Sequence, residues 1–175
     1  MKHIIAFSFL LIATSTYGQT PKSDSTIKVI YAEGHQKYKN PAWFINGNFI
    51  ANPVSILNPK MIEDISIIKR DSTIEGNTYN GQLYIRTKNA YQPALISLTA
   101  LKNKYTKLGK QAVVFMIDGN IINEDYDKFL VDEDYILQII VDKIKNEKEG
   151  IDLKLLKILT KSEENIKKSK EVKIR

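Results

Sequence analysis

Residues 41–88 read PAWFINGNFIANPVSILNPKMIEDISIIKRDSTIEGNTYNGQLYIRTK, and their order of apolar runs and turn signals sets the expected architecture. Ala42 to Ile45 is a short apolar run that meets Asn46-Gly47, a dipeptide whose two positions tolerate positive φ and suit a type I′ hairpin turn. Phe49 and Ile50 follow at once, which predicts a hairpin pairing Phe44 and Ile45 with Phe49 and Ile50. Asn58-Pro59 reads as a helix start, with Asn58 at the N-cap and Pro59 at the first helical position, where its missing N–H costs nothing. A short helix through Met61 to Asp64 is expected, then a β-branched strand at Ile65-Ser66-Ile67-Ile68, with Lys69-Arg70-Asp71 marking the return to solvent. After a polar segment carrying Gly76, Asn80-Gly81 predicts a turn, and Leu83 to Thr87 alternates with period two as a strand with one inward face.

The chain then repeats the plan. Apolar residues at Leu95, Leu98, Leu101, Tyr105 and Leu108 fall three and four apart, which predicts a helix over Pro93 to Lys110 closed by Gly109. Ala112 to Ile117 is a strand ending in Asp118-Gly119, and Asn120-Ile121-Ile122 returns as Asn48-Phe49-Ile50 does. Asn46 and Asp118 align at an offset of 72 residues, as do Ile65-Ser66-Ile67-Ile68 and Leu137-Gln138-Ile139-Ile140. Tyr84 to Lys88 matches Lys157 to Lys161 when one residue is inserted, and the charged segment from Lys143 to Gly150 is expected to be a solvent loop or turn. Agreement at three separate places predicts pseudo-repetition.

In the first copy the pieces Phe44-Ile45-Asn46-Gly47, Leu57-Asn58-Pro59, Ile62 to Asp71 and Asn80 to Lys88 occur in the order found in the plug domain of TonB-dependent outer-membrane receptors, especially those of Bacteroidetes, and the chain resembles that domain. Over fewer than fifty residues, the resemblance rests on Asn46, Gly47, Asn58, Pro59, Asn80 and Gly81, echoed by Asp118 and Gly119. Glu75-Gly76-Asn77-Thr78-Tyr79 replaces the Tyr-Gly-Ser-Arg element that usually precedes Ala-Asn-Gly, and no TonB-box-like segment follows the leader. A transmembrane barrel needs many strands of about nine to eleven residues each. The 87 residues after Lys88 are too few for one, so the resemblance implies a plug-like fold used outside a transporter. The expected class is α+β, with two related plug-like units of short β-strands and a few helices.

Met1 to Gln19 opens with Lys2 and His3 and runs through an apolar core to small and polar residues, the pattern of a secretory signal peptide cut after Gly18. The expected divisions are therefore a signal peptide at 1–18, a first unit at 19–90, a connecting helix at 91–110, a second unit at 111–161 and a basic tail at 162–175. Ile27 to Ala32 can add a strand to the first unit. The chain has no cysteine and so forms no disulfide, and its formal net charge of +6 falls to +5 without Lys2. That excess biases encounter toward anionic surfaces and supports solubility. A composition 43% hydrophobic and 26% charged is that of a globular chain.

Four oxygen-bearing residues fall at EF-hand-like intervals: Asn123, Asp125, Asp127 and Asp134. The count breaks at Lys128, where the sharp turn wants glycine, and Asp134 is one methylene shorter than the bidentate glutamate of such loops. The competing reading is a solvated acidic loop leading into a strand at Tyr135. His35 is the one histidine after the leader, and nothing near it in sequence completes a zinc or acid–base site. Glu133 and Asp134 are expected on opposite sides of a strand. Tyr31, Tyr38, Trp43 and Phe44 could form an aromatic surface for a sugar or peptide, with one of Trp43 and Phe44 turned into the core. Ser162 caps an expected helix with Glu163 and Glu164 in its first turn, and the lysines that follow lack the aromatic interleaving that single-stranded nucleic acid requires.

Together these features predict an exported, non-enzymatic binding or interaction protein of the bacterial cell envelope, in the periplasm or on the outer membrane. No cofactor and no transmembrane segment after the leader are expected. Its partner would be an outer-membrane or periplasmic protein that could join an exposed sheet edge. The alternative is a calcium- or metal-dependent envelope protein using residues 123–134.

Overall fold

The computed structural model describes residues 41–171. The expected signal peptide, the strand expected before Glu33, His35, Tyr31, Tyr38 and the last four residues of the tail lie outside the described residues. The described fold is mostly β with a minor helical part, compatible with an α+β class.

A hairpin opens it: β1 (Ala42–Ile45) and β2 (Asn48–Ile50) pair with Phe44 opposite Phe49, across Asn46 and Gly47 at φ 49° and 84°. β3 (Val54–Ile56) leads to a 3-10 turn at Pro59–Met61, where the Asn58 side chain accepts from the Lys60 amide. The helix expected through Asp64 does not form, because β4 (Ile62–Ile68) already begins at Ile62 opposite Thr87. The polar segment after it is a ribbon of β5 (Ser72–Ile74) and β6 (Asn77–Tyr79), turning at Glu75 and Gly76 with φ 50° and 78°. Gly81 then brings the chain so close to β4 that a Cβ on it would lie 3.0 Å from the Ile68 carbonyl oxygen. β7 (Gln82–Thr87) follows, parallel to β1 and antiparallel to β4, and gives a four-stranded sheet of order β2-β1-β7-β4.

The expected connecting helix is shorter than its apolar spacing suggests. β8 (Leu95–Ser97) takes the first residues, and Ser97 caps α1 (Leu98–Tyr105) by accepting from the Ala100 amide at 3.2 Å. Thr106 ends α1 by turning its own amide and hydroxyl onto the Lys102 carbonyl, so Leu108 and Gly109 lie beyond it. A second sheet then uses β9 (Val113–Ile117), β10 (Asn120–Ile121), β12 (Ile136–Asn146) and β13 (Ile151–Thr160) in the order β10-β9-β13-β12, with β13 parallel to β9 and antiparallel to β12. Before β12 come β11 (Leu130–Asp132) and a 3-10 turn at Glu133–Tyr135 that carries both Glu133 and Asp134, which were expected on a strand. Lys143 to Asn146 lie in β12 and 147–150 form the turn, so half of the expected loop or turn is strand. The chain closes with α2 (Glu163–Glu171), capped by the Ser162 hydroxyl accepting from the Asn165 amide.

The two four-stranded sheets share strand order, pairing sense and hairpin turn. The third strand of each sheet in chain order, β4 or β12, also carries a register shift near its start, at Ile62/Asp64 and Ile136/Gln138. The matched registers correct the sequence alignment: Ile65 faces Ile85 as Ile139 faces Ile158, so Ile65 corresponds to Ile139 and not to Leu137. A two-residue slip preserves the period-two pattern, so the apolar pattern alone could not detect it.

β3, β11 and β8 form a small sheet that partitions two cores. Leu130 and Leu95 pack toward Ile45, Val54 and Ile85, while their neighbours Val131 and Ile96 turn toward Phe115, Leu156, Ile158, Leu98 and Leu101. Adjacent strand residues point to opposite faces, which is how one thin sheet serves both. Trp43 joins the first core, whereas Phe44 lies on the other face with its ring stacked on Tyr84 at 4.6 Å.

Candidate functional site: a free sheet edge between two grooves

In each four-stranded sheet the third strand in chain order lies at the border. β4 and β12 are hydrogen-bonded on one side only among the described residues. β12 is the longer, eleven residues against seven, and most of its side chains are exposed. Ile65 and Ile67 of β4 face the core side yet remain 50% and 62% exposed, because no further strand covers them. Ile140, Val141 and Ile144 of β12 are exposed to 37%, 46% and 42%. A border strand presents unpaired N–H and C=O groups as a template for another strand, and apolar side chains beside it add area for the newcomer to bury.

The ends of the sheets are fixed by the motif residues. Asn46 and Asp118 occupy the same corner of the two hairpins, at φ 49° and 46°. The Asn46 Oδ1 accepts from the Thr87 amide at 2.9 Å and its Nδ2 donates to the Thr87 hydroxyl at 2.7 Å. In the second sheet Thr160 donates to Asp118 from its amide at 2.9 Å and from its hydroxyl at 2.6 Å. The corner is then tied outward in two ways. Asn46 and Thr87 both donate to the Tyr91 carbonyl, whereas Asp118 accepts from Asn165 of α2 at 2.7 Å. Gly47 and Gly119 complete the turns at φ 84° and 89°. Asn58 caps, Pro59 opens its 3-10 turn, and Asn80-Gly81 feeds β7, so these motif residues are framework for the sheet.

Tyr91 links this framework to the middle of the molecule. Its hydroxyl lies 3.0 and 2.9 Å from the two carboxylate oxygens of Asp132, which is fully buried. Burial first, and then the bond to Asp132, pushes the Tyr91 phenol well above its ordinary range. Burial also raises the Asp132 carboxyl, against the lowering effect of the Tyr91 hydroxyl. A carboxyl whose folded-state pKa is raised stabilises fully below its unfolded value near 3.8 and loses that contribution as pH rises through the folded one. The melting temperature of the native chain relative to Asp132→Asn is therefore expected to fall as pH increases from about 3.5 to 7. A difference independent of pH would contradict this.

The four residues spaced like calcium ligands are not gathered. Asn123, Asp125 and Asp127 lie in the loop after β10, and Asp134 lies beyond β11 in the next 3-10 turn. Among the described residues no group of three or more acidic or histidine side chains could hold a metal ion. Asp125 instead accepts from the Asp127 amide at 3.1 Å and pairs with Lys128 at 3.3 Å, and these two partners hold its carboxyl below the usual range. The loop supports α1: the carbonyls of Phe129 and Tyr126 accept from the Leu98 and Thr99 amides, two of the donors a helix start leaves without intrahelical partners. Tyr126 packs edge-on against Phe115 at 4.7 Å.

Two grooves flank the start of β12. One, of about 320 Å³, is lined by Tyr105, Glu133 and residues 136–139. Within it Glu133 receives Lys104 at 2.5 Å and the Tyr105 hydroxyl, and Lys104 is the chief cause of its lowered pKa. The other, of about 970 Å³, lies between Gln138, Ile140 and Leu159 of the sheet and Ser162, Asn165 and Lys168 of the α2 region, with Asp118 and Glu164 at its wall. Ile139 sits opposite Ile158 of the core and Ile140 opposite Lys157, so the grooves open on opposite faces of the strand. Sequence reading found the strand but neither groove, since the second depends on α2 folding back over Leu159. The corresponding place in the first sheet, beside Asn46, Ser66, Tyr84 and Arg86, forms a groove of about 350 Å³.

Among the described residues no helix is long and apolar enough to cross a membrane. Comparison of the chain with models of known protein families, with curated proteins and with solved structures finds no match.

Proposed function

We propose that the chain is an exported, non-enzymatic interaction module of the bacterial cell envelope, built from two plug-like units, that binds a partner protein by adding its strand to a free sheet edge. The observation that carries the reading is β12, an eleven-residue border strand with exposed Ile140, Val141 and Ile144. Such an edge supplies affinity through main-chain hydrogen bonds and selectivity through the side chains on either face. The plug-like reading draws support from the repeated strand order and from the Asn46–Thr87 and Asp118–Thr160 corners. Export draws on the leader-like sequence of residues 1–18. The partner is accordingly an outer-membrane or periplasmic protein.

The test is fractionation of the tagged chain in its native host, with a photo-crosslinking residue replacing Ile140 in one strain and Asn48, on the opposite border strand of the first sheet, in another. The reading predicts a processed protein in the envelope fraction and crosslinked species from position 140 alone. An unprocessed cytoplasmic protein would sink the export claim, and equal crosslinking from both positions, or none, would sink the edge claim.

A further inference from the structure

We infer that the start of β12, residues 136–140, is a peptide site for an extended segment that alternates apolar and basic side chains, the apolar ones entering the Tyr105 groove and the basic ones the Asp118 groove. The inference rests on the edge-strand reading and adds to it a location and a ligand chemistry. Successive side chains of an added strand point to opposite faces. Leu137 and Gln138 line both grooves, so a strand paired there presents its alternate side chains to one groove and then the other.

Charge decides which side chain goes where. The Tyr105 groove is balanced, since its carboxylate, Glu133, is already paired with Lys104 at 2.5 Å, and Ile136, Leu137 and Ile139 supply apolar wall. The Asp118 groove holds two carboxylates and one lysine. Glu164 pairs with Lys168 at 2.6 Å, while Asp118 receives only neutral donors, from Thr160 and Asn165, and makes no ion pair among the described residues. One negative charge is thus left over in the larger groove, where the long stem of a lysine or arginine also finds room. The corresponding edge, β4, has an outer groove beside Tyr84 and Arg86, but Ile65 and Ile67 stand open on its core side without a groove around them.

The experiment measures fluorescence anisotropy of short labelled peptides added to the purified chain: alternating valine and lysine, alternating valine and glutamate, and the valine–lysine peptide with a central proline. The valine–lysine peptide is expected to bind saturably, the glutamate peptide at least about tenfold more weakly, and the proline peptide not measurably. Ile140→Lys, at a position 37% exposed and on the groove wall, is expected to weaken valine–lysine binding about tenfold or more, because it fills the site and supplies its missing positive charge. Glu164→Gln, on an exposed side chain, is expected to weaken it several-fold with no change in melting temperature. Ile144→Lys, farther along the same strand, is expected to leave binding unchanged. Equal affinity for lysine and glutamate peptides, or equal loss in Ile140→Lys and Ile144→Lys, would overturn the two-groove site while leaving the edge reading in place. Concentration-dependent self-association abolished by Ile140→Lys, without peptide binding, would also overturn it and assign the edge to a second copy. Absence of peptide binding together with absence of crosslinks from position 140 would overturn both.

Discussion

Phe115→Ala is expected to destabilise the chain by about 3–5 kcal/mol, roughly a 10 °C fall in melting temperature for a domain of this size. Phe115 is 1% exposed at the centre of the second core, between Leu98 and Leu101 of α1 and Leu156 and Ile158 of β13. Removing its ring leaves a cavity walled by a helix and a sheet that cannot both move in. It also removes the edge-on partner of Tyr126, loosening the loop whose carbonyls hold the start of α1. The first sheet provides the contrast. Leu156 and Leu83 hold matching positions, opposite Phe115 and Trp43, but Leu83 is only half-buried. Leu156→Ala is expected to cost about 2–5 kcal/mol and Leu83→Ala about 1–2 kcal/mol. Chemical denaturation of the three variants measures this, and equal losses at Leu83 and Leu156 would contradict the unequal sizes of the two cores.

Asp118→Ala is expected to cost about 2–4 kcal/mol. The change strips acceptors from the Thr160 amide and hydroxyl and from Asn165, and Thr160 is buried, so its amide is left unpaired away from water. It also places alanine at φ 46°, a left-handed conformation that aspartate and asparagine tolerate better. Asp118→Asn should cost no more than about 1 kcal/mol, because Asn46 bridges the Thr87 amide and hydroxyl in the first sheet, its Oδ1 accepting from the amide and its Nδ2 donating to the hydroxyl that in the second sheet is the donor. Melting curves of the two variants separate the bonding role from a need for negative charge. If asparagine proved as damaging as alanine, the two corners would not be equivalent.

Much of this framework was legible because it is local. Asn46-Gly47 and Asp118-Gly119 announced their turns through the left-handed conformations they favour, and the strand flanks followed from period-two alternation. Helical spacing is a weaker guide where a strand partner intervenes: Leu95 fits the helical stripe, yet β11 takes it and Ile96 as strand, and Ser97 marks the true start of α1. The segment after β4 looked merely polar, although Glu75-Gly76 could have suggested the ribbon turn. The spacing of Asn123, Asp125, Asp127 and Asp134 counted oxygens along the chain, whereas Phe129 and Tyr126, counted as neither ligand nor motif, determine where that loop packs. The buried Tyr91–Asp132 pair joins residues 41 apart and left no local signal. The grooves beside β12 were equally hidden, because they arise where α1, the 3-10 turn and α2 meet one strand.

Hydrogen exchange of the purified chain, alone and after incubation with solubilised envelope from its native host, tests the edge most directly. In the free chain, amides of β12 directed away from β13 are expected to exchange fast, since no strand among the described residues pairs with them. Addition of the envelope fraction is predicted to slow exchange across 136–146, strongest at 136–140, and to leave β2 and β10 unchanged. A complex that forms while β12 exchanges as before would contradict the proposal that this edge is the binding surface.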